Sequence, residues 1–417
     1  VGLDALGSTE ICFSMPESYN ASAVLFDNLS AGRGTNIALH SGDLRLSYAA
    51  LFALSCQAGN ALVRTGLARS DRVVMLLDDT PVYPGAFFGD VRAGFVTVRV
   101  NTLSPAALVH YYIEDSLAEI VIAESNLLPV LSEALENGAD IRLVVVANGE
   151  QPETFPVATV SWDDFVSQEL PELVAADTHR DDMAFWMYSS GSTGRPKGIV
   201  HLQHDMPDTP LRYAEHVLKL TEKDIVYSVP KIFFAYGFGN AVTFPFSVGA
   251  AVVLASGRPE PGPIYDVIEE HKPTVVFGLP TLYNALVAHE GSADRDLSSV
   301  RLCISAAEPL PGETFDIWSS RYGLEILEGL GSTEVLHIYV SNYVDDLCKG
   351  ASGKRVPGDE VEFRDMDGKI VPPGEAGNMW VRGDSQAPFY WNQPEKRAET
   401  MRGDWVYTVY RLLQGEG

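Results

Sequence analysis

The sequence predicts an α/β fold of two layered, mostly parallel sheets flanked by helices in the order αβαβα, with a small C-terminal β-barrel subdomain. Apolar runs such as residues 72–77 and 143–146 alternate with helix-like segments, a pattern typical of parallel strands buried on both faces. After about residue 350, short strands flank turns such as Asp367-Gly368, which indicates antiparallel pairing. We therefore expect subdomains at residues 1–170, 171–350 and 351–417.

The same alternation predicts the individual elements in order. Residues 51–67 are predicted to form a helix, and Ser104 and Pro105 are predicted as the N-cap and first residue of another. The segment 150–181, rich in Pro, Glu, Asp and Thr, is expected to cross the surface without regular structure. The predicted strands cover residues 72–77, 95–100, 120–122, 143–146, 225–228, 250–254, 274–277, 300–304, 324–327, 361–364 and 377–383.

Composition excludes several classes of protein. The chain has 417 residues, 46% hydrophobic and 21% charged, which is typical of a globular protein rather than a disordered one. With 56 acidic and 30 basic residues the net charge is −26, which argues against nucleic acid or an anionic membrane as the main partner. No apolar run approaches the ~18 residues of a membrane span, and no secretory signal is visible. Four cysteines without pairing or metal-ligand spacing fit a reduced, cytoplasmic setting.

One loop concentrates groups that bind polyphosphate. It follows the apolar run 183–187 and contains Ser189, Ser190, Gly191, Ser192, Thr193 and Gly194. Arg195 and Lys197 add positive charge, and a glycine-rich backbone can approach phosphate closely. A flexible surface turn would explain the glycines but not the sequence Pro196-Lys197-Gly198. Because no hydroxyl residue follows Lys197, a P-loop kinase is disfavoured.

This loop closely resembles the signature loop of the adenylate-forming superfamily, which includes acyl-CoA ligases, peptide-synthetase adenylation domains and luciferases. The resemblance implies that residues 189–194 bind ATP and that Lys197 and the loop hydroxyls hold its β and γ phosphates. It also implies further motifs downstream.

The second motif is the stretch from Glu328 to Glu334. Gly329 and Gly331 permit a sharp turn, after which Thr333 and Glu334 face the carboxyl edge of the sheet. A carboxylate beside a phosphate site requires a cation between them, so Glu334 is predicted to hold Mg²⁺ and Thr333 to donate to a phosphate oxygen. An ordinary helix start capped by Ser332 or Thr333 is the alternative. By resemblance this is the Thr-Glu motif of the superfamily, and its cofactor-binding residues are Glu328, which reaches the adenine amine, with Gly329, Leu330, Gly331 and Ser332.

A third motif follows the predicted strand 300–304. It resembles the turn that stacks on adenine, and its predicted contacts are Ala306, Ala307, Glu308 and Pro309. The family usually has glycine where this chain has Ala307. An ordinary strand-to-helix turn ended by proline is the alternative.

The segment 230–240 resembles the acid-binding segment of benzoate-type CoA ligases. Its aromatic density would also suit a hydrophobic core, and Phe233 is expected to lie there. The resemblance implies that Phe234 gates the entry of the acid. The predicted substrate-binding residues are Lys231, Phe234, Ala235, Tyr236 and Gly237, with Gly331, His337 and Ile338 forming the opposite wall. No acidic residue stands near Ala235 to pair with an amino acid's ammonium group, which disfavours a peptide-synthetase domain.

Together these motifs imply an aryl acid–CoA ligase that uses ATP, Mg²⁺ and CoA, closest to benzoate and 4-hydroxybenzoate CoA ligases. A non-aryl acyl-CoA ligase, a standalone adenylation domain and a fragment that binds ATP and aryl acid without turnover are left open, as is a homodimer. The family continues with Tyr-Thr-Gly-Asp, whose aspartate binds ribose. Here Tyr407-Thr408 is followed by Val409 and Tyr410, and the mobile C-terminal lid domain is expected to be absent.

Overall fold

The computed structural model describes residues 15–136, 138–189 and 195–413. Within these ranges the chain forms two compact units, one of residues 15–206 with 390–392 and the other of residues 207–389 with 393–413. We call them the N-terminal and C-terminal units. The expected subdomain boundaries at 170 and 350 stay a prediction, and the observed units divide after Met206 instead.

The N-terminal unit contains an eight-stranded sheet and the hairpin β1–β2. Its strands are β1 (Ile37–Ser41), β2 (Leu44–Ser47), β3 (Arg72–Leu76), β4 (Val96–Arg99), β5 (Ile120–Glu124), β6 (Leu143–Ala147), β7 (Thr159–Ser161), β8 (Met183–Ser189), β9 (Lys197–Leu202) and β19 (Tyr390–Trp391). The sheet order is β19-β9-β8-β4-β3-β5-β6-β7, and it is parallel from β8 to β7. Strands β9 and β19 join antiparallel at the edge next to β8.

The helices of this part of the chain precede, connect or follow these strands. They are α1 (Ala23–Ser30), α2 (Tyr48–Arg64), α3 (Val82–Ala93), α4 (Ala106–Ser116), α5 (Leu128–Glu136) and α6 (Trp162–Ser167), and α7 (Asp205–Thr209) follows β9. Two of them have hydroxyl caps: Ser47 accepts from the Ala50 amide at 3.2 Å and Ser161 from the Asp164 amide at 3.1 Å. The predicted start of α4 is one residue early, because Pro105 is still extended at ψ 160°.

The sheet of the C-terminal unit repeats this arrangement. Its strands are β10 (Ile225–Ser228), β11 (Ala251–Val253), β12 (Val275–Gly278), β13 (Leu302–Ser305), β14 (Ile326–Gly331), β15 (Ile338–Ser341) and β16 (Lys354–Arg355). They lie in the order β16-β15-β14-β13-β12-β10-β11, parallel from β14 to β11 and antiparallel through β15 and β16. Val275 and Phe277 pack in one apolar cluster and Val276 in another, so both faces of the sheet are buried.

Helices also cover this sheet. They are α8 (Ala235–Phe238), α9 (Phe244–Val248), α10 (Pro261–His271), α11 (Pro280–Ala288) and α12 (Gly312–Tyr322), and π-helical segments cover Pro210–Glu215 and Gly239–Thr243. A further helix, α13 (Pro394–Thr400), packs on the strands of residues 401–413 instead. The predicted class of mostly parallel sheets flanked by helices is thereby confirmed. No helix among the described residues is both long and apolar enough to cross a membrane.

An antiparallel sheet occupies the region predicted as a β-barrel. Its strands are β17 (Glu360–Arg364), β18 (Ala376–Arg382), β20 (Met401–Arg402) and β21 (Trp405–Leu413), in the order β17-β18-β21-β20. The turn at Asp367-Gly368 is present, since Gly368 has φ +82° and donates to the Asp365 carbonyl at 3.1 Å. The segment 150–181 holds β7 and α6, which the sequence prediction missed.

An acidic cluster within the C-terminal unit surrounds the buried Arg212, and of its carboxylates Asp208 and Asp359 are buried whereas Asp384 is exposed. The Arg212 guanidinium donates to Asp208 at 2.7 Å and to Asp384 at 2.7 Å. Asp359, only 6% exposed, lies close enough to interact electrostatically with all three. Burial raises the pKa of Asp359 well above its usual range, Asp208 and Asp384 raise it further, and Arg212 opposes the shift.

This cluster predicts a pH-dependent stability. Because the pKa of Asp359 is raised by folding, the folded state binds its proton more tightly, and stability is lost as pH rises above the ordinary value of about 3.9. Asp359→Asn is therefore expected to be more stable than the wild type at pH 8, by about 1–3 kcal/mol, and no more stable near pH 4. Urea unfolding between pH 4 and 8 measures this. Asp404→Asn, at an exposed position, is the control, and a gain independent of pH would contradict the prediction.

Candidate active site

The two strands that flank the signature loop stay paired up to the loop. We call the residues on either side of it, Tyr188-Ser189 and Pro196-Lys197, the loop stems. In the antiparallel pairing of β8 and β9, Tyr188 lies opposite Gly198 and Ser189 opposite Lys197. The predicted ATP contacts Ser190, Gly191, Ser192, Thr193 and Gly194 lie outside the described residues. Ser189 and Lys197 are thus the last and first paired residues on either side of the loop.

The Lys197 side chain is held by an aromatic residue of the edge strand. Its ammonium nitrogen lies 3.3 Å from the Tyr390 hydroxyl and 4.5 Å from the centroid of that ring. Tyr390 is 2% exposed and pairs with Ile199 across the β9–β19 ladder. The cation is therefore fixed beside the loop by a hydrogen bond and a cation–π contact within one unit.

The glycines of the Thr-Glu motif lie in β14 and form no sharp turn, so that interpretation is wrong. Gly331 pairs with Ile338 across the β14–β15 ladder. A Cβ at Gly331 would lie 2.5 Å from the His337 carbonyl oxygen, and one at Gly329 would lie 2.6 Å from Cδ1 of Ile338. The glycines are needed for this close approach. The chain reverses after them, through the 3₁₀ turn Thr333–Val335.

Thr333 and Glu334 follow directly at the carboxyl end of β14. The Glu334 carbonyl accepts from the Ala387 amide at 2.7 Å, and the Ser385 hydroxyl donates to the Val335 carbonyl at 3.0 Å. The loop after β18 therefore fixes the backbone of the motif. Both motif side chains are partly exposed.

Tyr410 stands two residues after Thr408, at the position where the resemblance places the ribose aspartate. Its hydroxyl donates to the Gly331 carbonyl at 3.3 Å. Burial raises the pKa of this hydroxyl, and the Glu334 carboxylate raises it further. A neutral phenol beside the Thr-Glu motif thus occupies the place of a carboxylate.

The predicted adenine turn follows β13, as expected. Ala306 is buried, whereas Ala307, Glu308 and Pro309 are exposed. The predicted adenine partner Glu328 accepts from the Leu310 amide at 3.0 Å, and burial raises its pKa. A side-chain hydrogen bond from Glu328 on β14 therefore joins the motif to the turn that follows the neighbouring parallel strand β13.

Ala307 has a left-handed backbone, with φ +75°. This conformation costs an L-residue roughly 1–2 kcal/mol, and it explains why glycine is usual at this position in the family. Glycine avoids this cost, but its greater conformational freedom in the unfolded state offsets about 0.5–1 kcal/mol of the stability gained. Ala307→Gly is therefore expected to raise stability by up to about 1 kcal/mol, measured by thermal or urea unfolding.

Ala306→Gly is the control. The backbone of Ala306 does not have a positive φ, so glycine relieves no strain there and this variant should lose stability. Destabilisation by Ala307→Gly as large as that by Ala306→Gly would contradict the prediction. The ATP dependence of both variants would show whether the turn contacts nucleotide.

The predicted wall of the acid pocket is built around His337. Its Nε2 lies 3.1 Å from Oδ1 of Asn240 and 3.3 Å from the Tyr236 carbonyl oxygen. Both partners are acceptors, so Nε2 carries the proton and donates. Burial lowers the pKa of His337 to about 3, so the ring is neutral at pH 7. Its ring packs 4.4 Å from that of Phe244 and 5.5 Å from that of Tyr236.

The remaining predicted acid-site residues have varied environments. Ile338 and Ala235 are buried, and Gly237 lies so close to the Lys231 carbonyl that a Cβ would be 2.1 Å from its oxygen. Phe234 is 50% exposed, as suits a residue at an entrance, and Phe233 is buried as expected. Lys231 donates to the Ala255 carbonyl at 2.8 Å and lines a cavity of about 100 Å³ with Arg258 and Glu260.

The side chains of the Thr-Glu motif suit Mg²⁺, which shares its ligands with substrate and water, better than a metal ion bound by protein side chains alone. Among the described residues, no group of three or more His, Cys, Asp and Glu side chains could hold an ion. Mg²⁺ is commonly bound by one or two carboxylates, substrate phosphates and water. A single, partly exposed Glu334 fits that requirement.

The structure adds residues that sequence reasoning missed. They are Tyr390, which contacts Lys197, Asn240, which contacts His337, and Tyr111 and Asp115, which contact the loop stems. The two partners Asn240 and Tyr390 lie far from their targets in sequence, so no local pattern could have identified them.

Comparisons with known proteins identify the family of this chain. The model of the family described as AMP-binding enzyme matches residues 26–391. A benzoate–CoA ligase of Thauera aromatica is 37% identical over 97% of this chain and 76% of its own length. A 4-hydroxybenzoate–CoA/benzoate–CoA ligase of Rhodopseudomonas palustris is 37% identical over 94% of this chain and 72% of its own.

Solved structures lead to the same group. The anthranilate CoA ligase AuaEII in complex with anthranoyl-AMP has a TM-score of 0.92 and 35% identity, covering 95% of this chain and 76% of that one. A benzoate CoA ligase from Burkholderia xenovorans has a TM-score of 0.88 and 36% identity, covering 95% of this chain and 78% of that one. The chain belongs to the AMP-binding enzyme family, within the adenylate-forming superfamily of ligases.

Proposed function

We propose that this protein activates an aromatic carboxylic acid, benzoate or a hydroxybenzoate, with ATP and transfers the acyl group to CoA. The products are aryl-CoA, AMP and pyrophosphate. The observation that carries the proposal is the neutral, buried His337 wall three residues after Glu334. An uncharged aromatic ring so close in sequence to the residues proposed for phosphate and metal supports an aryl acid as the substrate. The names of the similar ligases support the aryl acid as substrate.

The pocket residues favour an aryl acid over an amino acid. In the described segment 231–240 no side chain is acidic, so the segment offers no partner for an ammonium group. Tyr236 and His337 offer flat rings, and the backbone of Gly237 closes against Lys231. These are apolar contacts with few fixed polar groups, which suit a flat acid with one carboxylate.

In the proposed reaction, the carboxylate oxygen bonds to the α-phosphorus of ATP while the bond to the β-phosphate oxygen breaks and pyrophosphate leaves. The CoA sulfur then bonds to the acyl carbon, the thiol proton is released, and AMP leaves. Lys197 stabilises the negative charge of the leaving pyrophosphate, and Thr333 donates to the α-phosphate. Glu334 would hold Mg²⁺, which when bound neutralises charge between two anions that repel each other.

A second candidate is binding of ATP and aryl acid without turnover. Tyr410 favours it, because its hydroxyl contacts the Gly331 carbonyl where the family would have a ribose-binding carboxylate. The free thiols of Cys56, Cys303 and Cys348, and the need for ATP and CoA, support a cytoplasmic setting for either candidate.

Pyrophosphate release tests the proposal. Benzoate, 3- and 4-hydroxybenzoate and octanoate would each be supplied with Mg-ATP, and AMP formation followed with and without CoA. Release with the aryl acids alone is the expected result. Equal or greater release with octanoate would overturn the aryl preference. No release, together with aryl acid binding by calorimetry, would establish the second candidate.

A further inference from the structure

Helix α4 bonds to both stems of the loop that precedes Lys197. The Tyr188 hydroxyl, on the stem before the loop, donates to Oδ2 of Asp115 at 2.7 Å. The Tyr111 hydroxyl donates to the Pro196 carbonyl, on the stem after the loop, at 3.0 Å. Tyr111 and Asp115 are four residues apart and share one helix face. One turn of helix therefore binds the chain on either side of the loop. We call Tyr111, Asp115 and Tyr188 the stem clamp.

The stem clamp is itself anchored. The Tyr188 ring stacks on Tyr112 with centroids 4.4 Å apart. The Asp115 carbonyl accepts from Nε1 of Trp391 at 2.7 Å, and Trp391 stacks on Trp186 at 4.7 Å. Burial raises the pKa of Asp115, whereas the Tyr188 hydroxyl and the charge of Arg195 lower it. The helix, the loop stems and the edge strand β19 thus form one connected set of contacts inside the N-terminal unit.

These contacts exceed what the hairpin needs to form. Strands β8 and β9 are paired through their backbones up to Ser189 and Lys197, whether or not the two hydroxyl bonds exist. Tyr111 and Asp115 are only partly buried, so their removal leaves the apolar core intact. What the bonds add is restriction of the chain next to the loop, where each residue fixed in advance saves about 1–2 kcal/mol of ordering on ligand binding.

We propose that Tyr111 and Asp115 are positioning residues that hold Lys197 and the loop stems ready for the triphosphate of ATP. The inference rests on the proposed function only in that it takes ATP as the ligand of the loop. Neither residue is assigned a contact with substrate. Their effect on the reaction passes through Tyr188, Pro196 and Lys197.

The test compares Tyr111→Phe, Asp115→Ala and Asp115→Asn with Glu114→Gln, an exposed neighbour on the same helix. Tyr111→Phe and Asp115→Ala are each expected to raise KM for ATP about three- to tenfold, since each removes hydrogen bonding that restrains a loop stem. KM for the aryl acid should stay near the wild-type value, and the melting temperature should fall by no more than the few degrees that the loss of a hydrogen bond costs. Asp115→Asn should restore the ATP value, because its amide oxygen still accepts from Tyr188. Glu114→Gln should change nothing.

An unchanged KM for ATP in both deletion variants would overturn the inference. So would a parallel rise of both KM values with a lowered melting temperature, which indicates a merely structural role. If the wild type releases no pyrophosphate, the proposed function fails while the inference is still tested, by ATP affinity of the same variants in calorimetry. A wild type that binds no ATP would overturn both.

Discussion

Replacing Lys197 by alanine is expected to lower kcat/KM for pyrophosphate release about 100- to 1000-fold, while the affinity for the aryl acid stays unchanged. Lys197 is the first residue of β9, and its ammonium is fixed 3.3 Å from the Tyr390 hydroxyl. A fixed cation near a leaving pyrophosphate contributes most in the transition state, and loss of one such group typically costs two to three powers of ten. Pyrophosphate release measures turnover, and calorimetry measures acid affinity.

Lys223→Ala, at an exposed site, is the matched control for the loss of one positive charge from this acidic protein. It should leave turnover unchanged. If Lys197→Ala reduces turnover and acid affinity equally, the lysine has a structural role and its assignment to phosphate is wrong.

Gly239→Ala is expected to raise KM for the aryl acid about ten- to hundredfold and to leave KM for ATP nearly unchanged. The backbone of Gly239 is already helical, at φ −55° and ψ −52°, so alanine causes no backbone strain. Its Cβ would, however, lie 2.2 Å from Cδ2 of His337. That ring is hydrogen-bonded to Asn240 and packed on Phe244, so it moves only at a cost of about 1–3 kcal/mol.

Gly262→Ala provides the control, because a Cβ there would meet nothing closer than 3.7 Å. Acid and ATP kinetics and the melting temperature would be measured for both variants. If Gly239→Ala lowers stability without changing the acid KM, His337 lies in the core and does not line the acid pocket.

Most strands of both parallel sheets could be predicted because they are short apolar runs buried on both faces. Residues 120–122 and 225–228 illustrate this, since they are observed within Ile120–Glu124 and as Ile225–Ser228. The family motifs were equally local, and the comparisons confirm the family that they indicated. Local sequence was sufficient wherever burial or motif chemistry alone decided the outcome.

Other features depended on contacts between distant residues. Gly329 and Gly331 suit a turn by local rules, but the approach of Ile338 and the His337 carbonyl keeps them in a strand. Strand β7 and helix α6 were missed because Thr159–Ser161 is only partly buried at a sheet edge and gives a weak apolar signal. The Tyr390 contact with Lys197 joins residues 193 positions apart, beyond any pattern of sequence spacing.

Strand β19 has a consequence for how the chain acquires its structure during synthesis. The edge of the eight-stranded sheet is completed by Tyr390 and Trp391, which are translated long after β9. At ordinary synthesis rates they emerge roughly 10–40 s later, and until then the backbone of β9 is an unpaired strand edge beside the buried Ile199 and Val200. Such an edge pairs readily with other chains. The nascent N-terminal unit is therefore most prone to aggregate during this interval, and chaperones that bind extended apolar segments would protect it there.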